Sequence, residues 1–182
     1  MIVAPVGAAH ELVSIAPARL TRSDFADLYR ANLDAVYRYL LMAIGDRADA
    51  EDLCAQTFLA AYEGIERFRA QGTVRAWLLG IARHKLIDAG RRSHASRLSP
   101  DMDIPAEDAH ARPAEVAVMR AQLVEVRNAL DALPADQAEA VRLRFFGGLS
   151  GAEIARTMRR SEGAVRVLVH RGLRGIREAL GG

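Results

Sequence analysis

The stretch LSGAEIARTMRRSEGAVRVLVHRGLRGIREAL, running from Leu149 to Leu180, decides the fold. With Val165 set at zero and 100° per residue, Leu168, Val169, Gly172, Leu173, Ile176 and Leu180 gather on one side of a helix. Arg166, His170, Arg174 and Arg177 lie opposite, so one face packs and the other meets an anion. Leu149–Met158 forms a shorter amphipathic stretch ahead of it, and Arg159-Arg160-Ser161 between the two has the length of a helix-turn-helix joint. Ser161 is placed to cap the second helix, and Glu162 in its first turn favours a start there.

Charge along the chain is strongly segregated. The 182 residues carry a net charge of +2, yet residues 142–182 hold nine arginines against three acids, a local +6. An arginine-rich helix face is often simply solvated. Its coincidence with a helix-turn-helix joint favours an electrostatic footprint for nucleic-acid phosphates. Residues 83–97 are also basic, at +4, whereas residues 46–66 hold six acids and one arginine, a local −5. That acidic surface reads either as a solubilising face or as a docking site. Lys85 is the single lysine among 25 basic residues, and a bias of the source genome explains that as readily as phosphate binding does.

Composition excludes several classes. With 51% hydrophobic and 26% charged residues the chain is of the soluble globular kind, and no apolar run approaches the roughly 20 residues that span a bilayer. Residues 1–20 read as a loose arm with no basic leader, so a cytoplasmic protein is expected. Cys54, the lone cysteine, forms no intrachain disulfide and sits beside Leu53, Thr57 and Phe58, as a small buried hydrophobe would.

Helical periodicity runs from Arg22 to about Arg92 and again from Pro113 to Leu180, with strand signals nearly absent. The expected fold is all-α: two small helical domains joined by a flexible linker, the second containing the helix-turn-helix. Residues 21–92 form the first domain, 93–114 an acidic linker with Pro100 and Pro105, and 115–182 the second. In the first, Ser23 is read as the cap of a helix carrying Phe25, Leu28, Tyr29, Val36, Tyr37, Leu40 and Leu41 and ending near Gly45. A second helix spans about Ala48–Arg67, and a third, Val74–Arg92, has Trp77, Leu78, Ile81, Ala82, Leu86 and Ile87 as its core. In the second domain, Glu115–Leu133 and a helix restarting at Pro134 precede Gly147-Gly148 and the helix-turn-helix. Phe68, before the third helix, reads as a core ring or as a stacking platform for a base.

Three segments in register resemble one family. Asp49-Ala-Glu-Asp-Leu-Cys-Ala-Gln-Thr-Phe58 is similar to the core-polymerase-binding helix of bacterial sigma factors of the small extracytoplasmic function (ECF) group. Trp77-Leu-Leu-Gly-Ile-Ala-Arg-His-Lys-Leu-Ile-Asp88 resembles their −10-element helix. Leu130-Asp-Ala-Leu-Pro134 with Leu149–Leu180 resembles their −35-element domain. The resemblance implies that Asp49, Asp52 and Gln56 dock on the clamp helices of the largest subunit of core RNA polymerase. It implies that the loop Phe68–Thr73 receives a flipped −10 base while Arg75, Arg83, His84, Lys85, Arg91 and Arg92 line the separating promoter strands. It also implies that Arg166, Val167, His170 and Arg171 read the −35 major groove, with Arg159, Arg160 and Ser161 nearer the phosphates. An anti-sigma factor is the further partner implied, with no cofactor, no metal, no catalytic residue and no membrane insertion.

Three departures stand out: His84 replaces the usual Asn, Ala164 replaces the common Thr, and Leu168, which the helical angles turn inward, replaces a usual Arg. Two other readings compete. A free-standing helix-turn-helix regulator with a helical sensor or dimerisation domain explains the C-terminal half. An enzyme using His84 and Asp88, at i and i+4, as metal ligands would need a third ligand.

Overall fold

Leu28, Val36, Tyr39 and Leu40 recur at helical spacing and are all buried, and they define the inner face of the first helix, α1 (Phe25–Ile44). This computed structural model describes residues 20–69, 72–92 and 113–181. Six more α-helices follow: α2 (Arg47–Gly64), α3 (Val74–Arg92), α4 (Pro113–Asp131), α5 (Ala135–Phe145), α6 (Gly151–Met158) and α7 (Glu162–Ala179). No strand occurs among the described residues. Of the expected arm 1–20 all but Leu20, which is buried, and of the expected linker 93–114 all but Pro113 and Ala114, which begin α4, lie outside them.

The ends of these helices follow from local chemistry. Ahead of α1 a short 3-10 turn, Arg22–Asp24, is capped by Thr21, with Asp24 accepting from the Thr21 backbone and hydroxyl. Thr21 therefore takes the capping role that the sequence suggested for Ser23. Gly45 ends α1 in the left-handed region, φ 79°, where a residue without a Cβ is favoured. Asp46 then caps α2 by accepting from the Asp49 N–H at 2.9 Å. Ser150 and Glu153 form a reciprocal capping box on α6, and Ser161 caps α7 through the Ala164 N–H at 3.1 Å, as its position suggested.

Helices α1, α2 and α3 pack on one another around Tyr39, Leu40, Ile65 and Leu78, while α4 to α7 close on Leu130, Val141 and Leu143. The two groups do not stand apart. One continuous apolar cluster holds Leu78 and Leu79 of α3 together with Leu143, Leu149, Ile154 and Val165, and Met42 of α1 joins Leu130 and Val141. Burial of Cys54 pushes its thiol up to about 11, in keeping with a packing role.

Gly172 sets the approach of α7 to α5. A Cβ there would meet Val141 Cγ2 at 2.6 Å and the Gln137 carbonyl oxygen at 3.3 Å, whereas one at Gly163 on the same helix meets nothing. Gly172→Leu is expected to lower stability by about 1–3 kcal/mol through overpacking. Gly163→Ala is expected to leave it unchanged or raise it by up to about 1 kcal/mol. Urea unfolding midpoints of the two variants check both signs.

Candidate nucleic-acid interface

Helix α7 turns its apolar side inward and its basic side out. Val165 and Gly172 are buried and Leu168 and Val169 pack against the core, while Arg166, Val167, His170 and Arg171 are exposed along one stretch. Leu168 thus points inward, as its helical angle implied. Leu173 and Leu180, expected on the packed side, are 40% and 48% exposed: Leu173 sits at the edge of the apolar stripe, and Leu180 follows the last residue of α7.

The joint between α6 and α7 is built from arginines. Arg159 holds the left-handed conformation, φ 55°, that ends α6, and the Arg160 N–H donates to the Ala155 carbonyl at 2.9 Å to close the turn. A residue with a Cβ costs roughly 1–2 kcal/mol there relative to glycine. Arg159 nonetheless keeps its side chain exposed beside Ser161 and the start of α7, where N–H groups and helix dipole favour an anion. Arg160 pairs with Asp136 of α5 at 2.7 Å; both are about half exposed, so a phosphate competes readily for it.

On α3 the basic residues divide into two sets. His84 is exposed and Lys85 half-buried at the surface. The His84 Nδ1 lies 2.7 Å from the Gly80 carbonyl, which can only accept, so Nδ1 is the donor of that bond. Arg75 and Arg83, in contrast, are engaged. Arg75 Nε donates to Asn32 Oδ1 at 3.3 Å, and a Cβ on Gly148 would lie 3.2 Å from its guanidinium. Arg83 Nε lies 3.2 Å from Glu139 Oε1, which also accepts from the Tyr39 hydroxyl at 2.9 Å. Burial raises the Glu139 carboxyl above the usual range, against the opposing pull of Tyr39, Arg83 and Arg142. Burial, then the Glu139 charge, raises the Tyr39 phenol well above its ordinary value. Arg91 and Arg92 complete α3, and their side chains lie outside the described set.

Phe68 is not on the surface. It is 7% exposed and packs on Trp77 with ring centroids 5.2 Å apart, so it braces the loop ahead of α3 and offers no free face to a base. Of that loop, residues 70 and 71 lie outside the described residues. Its last residue, Thr73, caps the start of α3 by accepting from the Ala76 N–H, and its hydroxyl donates to Glu153 of α6. Burial raises the Glu153 carboxyl, but the bonds from Ser150 and Thr73 outweigh it and leave the group below its ordinary range.

The acidic surface lies on α2. Asp49 and Asp52 are exposed, and Gln56 is partly so and donates to Asp52 at 2.7 Å. Leu59 continues this face one turn on and is 60% exposed, an apolar centre beside charged neighbours that the sequence reading had not singled out. Among the described residues no three His, Cys, Asp or Glu side chains gather as a metal site, so His84 and Asp88 find no third ligand there. No described helix is long and apolar enough to cross a membrane.

Comparisons with known proteins bear on both halves. Residues 28–96 match the Sigma-70 region 2 family and residues 123–175 the Sigma-70, region 4 family. The ECF RNA polymerase sigma factor SigX of Bacillus subtilis (strain 168) is 31% identical over 159 residues, which is 85% of this chain and 82% of SigX. The chain belongs to the ECF sigma factors. BldN, an ECF sigma factor of Streptomyces coelicolor, is 36% identical over 152 residues, which make up 82% of this chain and 58% of BldN's length. Among solved structures, RpoE from Bartonella quintana in complex with the anti-sigma factor NepR superposes with a TM-score of 0.67 at 23% identity, covering 87% of this chain and 97% of that one. CnrH in complex with the cytosolic domain of CnrY gives 0.67 at 22%, covering 88% and 89%. At these identities the likeness is one of fold. A free-standing helix-turn-helix regulator would account for α6 and α7 but leaves the region 2 match over α1 to α3 unexplained.

Arg159 gives a test that separates stability from binding. Arg159→Gly relieves the left-handed strain and is expected to leave the unfolding midpoint equal or higher, while weakening duplex binding at every sequence alike and making it less salt-dependent. Parallel melting and salt-titrated binding measurements check the two directions.

Proposed function

We propose that this ECF sigma factor binds core RNA polymerase through the acidic face of α2 and carries promoter recognition on α3 and α7, directing where the strands separate at initiation. The observation that carries this reading is the coincidence of the two family matches with the two oppositely charged surfaces: region 2 covers the acidic face of α2, and region 4 the outward basic face of α7. Asp49, Asp52 and Gln56 are the residues assigned to the clamp helices of the polymerase, with Leu59 as the apolar centre of that contact.

In the −35 major groove, Arg166, Val167, His170 and Arg171 lie on the N-terminal half of the recognition helix. There a guanidinium can bond a guanine through two parallel hydrogen bonds and a valine can pack on a thymine methyl. Arg159, Arg160 and Ser161 are assigned to the flanking phosphates. On α3, Arg75, Arg83, His84, Lys85, Arg91 and Arg92 are assigned to the separating −10 strands. The base pocket is assigned to the loop that Phe68 braces rather than to the Phe68 ring.

The factor performs no bond chemistry of its own and acts in the cytoplasm, where the polymerase is. RpoE was solved with the anti-sigma factor NepR and CnrH with the cytosolic domain of CnrY, and from the first of these we assign an anti-sigma partner to this chain.

Asp52→Arg in the full chain is expected to abolish binding to core polymerase while the folded protein still binds duplex DNA; retained polymerase binding would contradict the docking assignment. Arg166→Ala is expected to change preference at one −35 base pair by about 1–3 kcal/mol. A uniform loss over all sequences would instead make Arg166 a phosphate contact. Co-sedimentation with core enzyme and selection from randomised −35 duplexes check the two.

A further inference from the structure

Asn32 breaks the apolar pattern of α1. It lies at the spacing of Leu28, Val36 and Leu40, on the face turned to the core, and is only 2% exposed. A buried amide costs free energy unless its hydrogen bonds are made. Its Nδ2 donates to the Leu28 carbonyl, one turn back, at 2.9 Å. A threonine makes the same kind of bond in this protein: Thr57 donates to the Leu53 carbonyl at 2.7 Å and Thr157 to the Glu153 carbonyl at 2.9 Å. What asparagine adds is a second polar atom with a longer reach. Its Oδ1 accepts from Arg75 Nε at 3.3 Å, bridging α1 to the first turn of α3, and beside it the Ala31 carbonyl accepts from Arg75 Nη2 at 3.5 Å.

These two acceptors grip one edge of the guanidinium. Because the group is planar, holding Nε and Nη2 also fixes where Nη1 points. Gly148 faces that end, and a Cβ there would lie 3.2 Å from Nη1, so the missing side chain leaves room beside it. An arginine has many rotamers, and one that is ordered in advance loses less freedom when a phosphate binds. We propose that Asn32 is a positioning residue for strand separation: buried and touching no nucleic acid itself, it holds the Arg75 guanidinium in one orientation, so that Arg75 meets a −10 phosphate already ordered.

Asn32→Thr isolates this role. Threonine matches asparagine closely in size and keeps the bond to the Leu28 carbonyl, but its hydroxyl stops short of Arg75. Asn32→Ala serves as a second variant, because alanine favours the helix and carries no polar atom to leave unpaired.

This inference rests on the assignment of Arg75 to the −10 strands, and the test separates the two. The parent, Asn32→Thr, Asn32→Ala, Arg75→Ala and the Asn32→Thr/Arg75→Ala pair are made in the full chain. Each is assembled with core polymerase on fragmented genomic DNA from the source organism. Factor-dependent transcripts are measured over a range of salt, at saturating core binding and well below the melting midpoints. Arg75→Ala is expected to lower the yield and flatten its salt dependence, because a phosphate contact is lost. Asn32→Thr and Asn32→Ala are expected to lower the yield about two- to tenfold, the cost of ordering one side chain, and to keep the parent's salt dependence because the charge remains. In the paired variant the yield is expected to equal that of Arg75→Ala alone. Parent-level yield from both Asn32 variants, with Arg75→Ala still low, overturns the positioning role. An equal loss on adding Asn32→Thr to the parent and to Arg75→Ala also overturns it and makes Asn32 a packing residue. Parent-level yield from Arg75→Ala overturns the −10 assignment of Arg75 and the positioning role with it.

Discussion

The seam between α3 and the pair α5 and α6 is the contact on which the rest of the arrangement depends. Leu79 lies there against Gly147, and around that apolar floor Glu139 bonds to Tyr39 and pairs with Arg83 while Thr73 bonds to Glu153. The polar groups in the seam come from α1, α3, α5 and α6 and from Thr73, which caps α3, so the seam fixes the orientation of these four helices at once. Apolar burial supplies the non-directional attraction, and the polar pairs select one register from the many that apolar surfaces allow. The helices assigned to promoter contact thereby come to lie on a common body, with α3 at the joint.

Charge segregation gives this body its working surfaces. A chain of net charge +2 concentrates −5 on residues 46–66 and +6 on residues 142–182, so it carries two surfaces of opposite sign although the whole is nearly neutral. The acids sit on α2, whose other side buries Leu53, Cys54, Thr57 and Phe58. The arginines of α7 sit opposite Val165 and Gly172. In both helices one set of spacings serves core and partner, which is why substitutions on the outer faces report on binding and those at Gly172 report on folding.

Much of this was legible in the sequence, and the reason is locality. Ser161, Gly45 and the apolar spacing of α1, α3 and α7 act within one or two helical turns, so chain order alone reveals them. The missed features are those set by distant chain. Tyr39 and Glu139 are 100 residues apart, and neither carries a local signal of its partner. Leu79 falls outside the stripe that packs α3 on its own domain, because it faces the other one. Phe68 could be read as core or as stacking platform until Trp77 was seen beside it, and Thr21 displaced Ser23 because the capping partner, Asp24, lies three residues from Thr21 and adjacent to Ser23. Leu59 looked like one more apolar residue of α2, and only the packing of α1 and α3 on the other side leaves it exposed.

The central claim is that this chain lends promoter recognition to core RNA polymerase, and run-off transcription tests it most directly. Fragmented genomic DNA from the source organism is transcribed by sigma-free core enzyme with and without the protein. The account predicts discrete transcripts that appear only with the protein and share paired upstream elements at a −35 and −10 spacing. No added transcript, together with no binding of the protein to core polymerase, would contradict it.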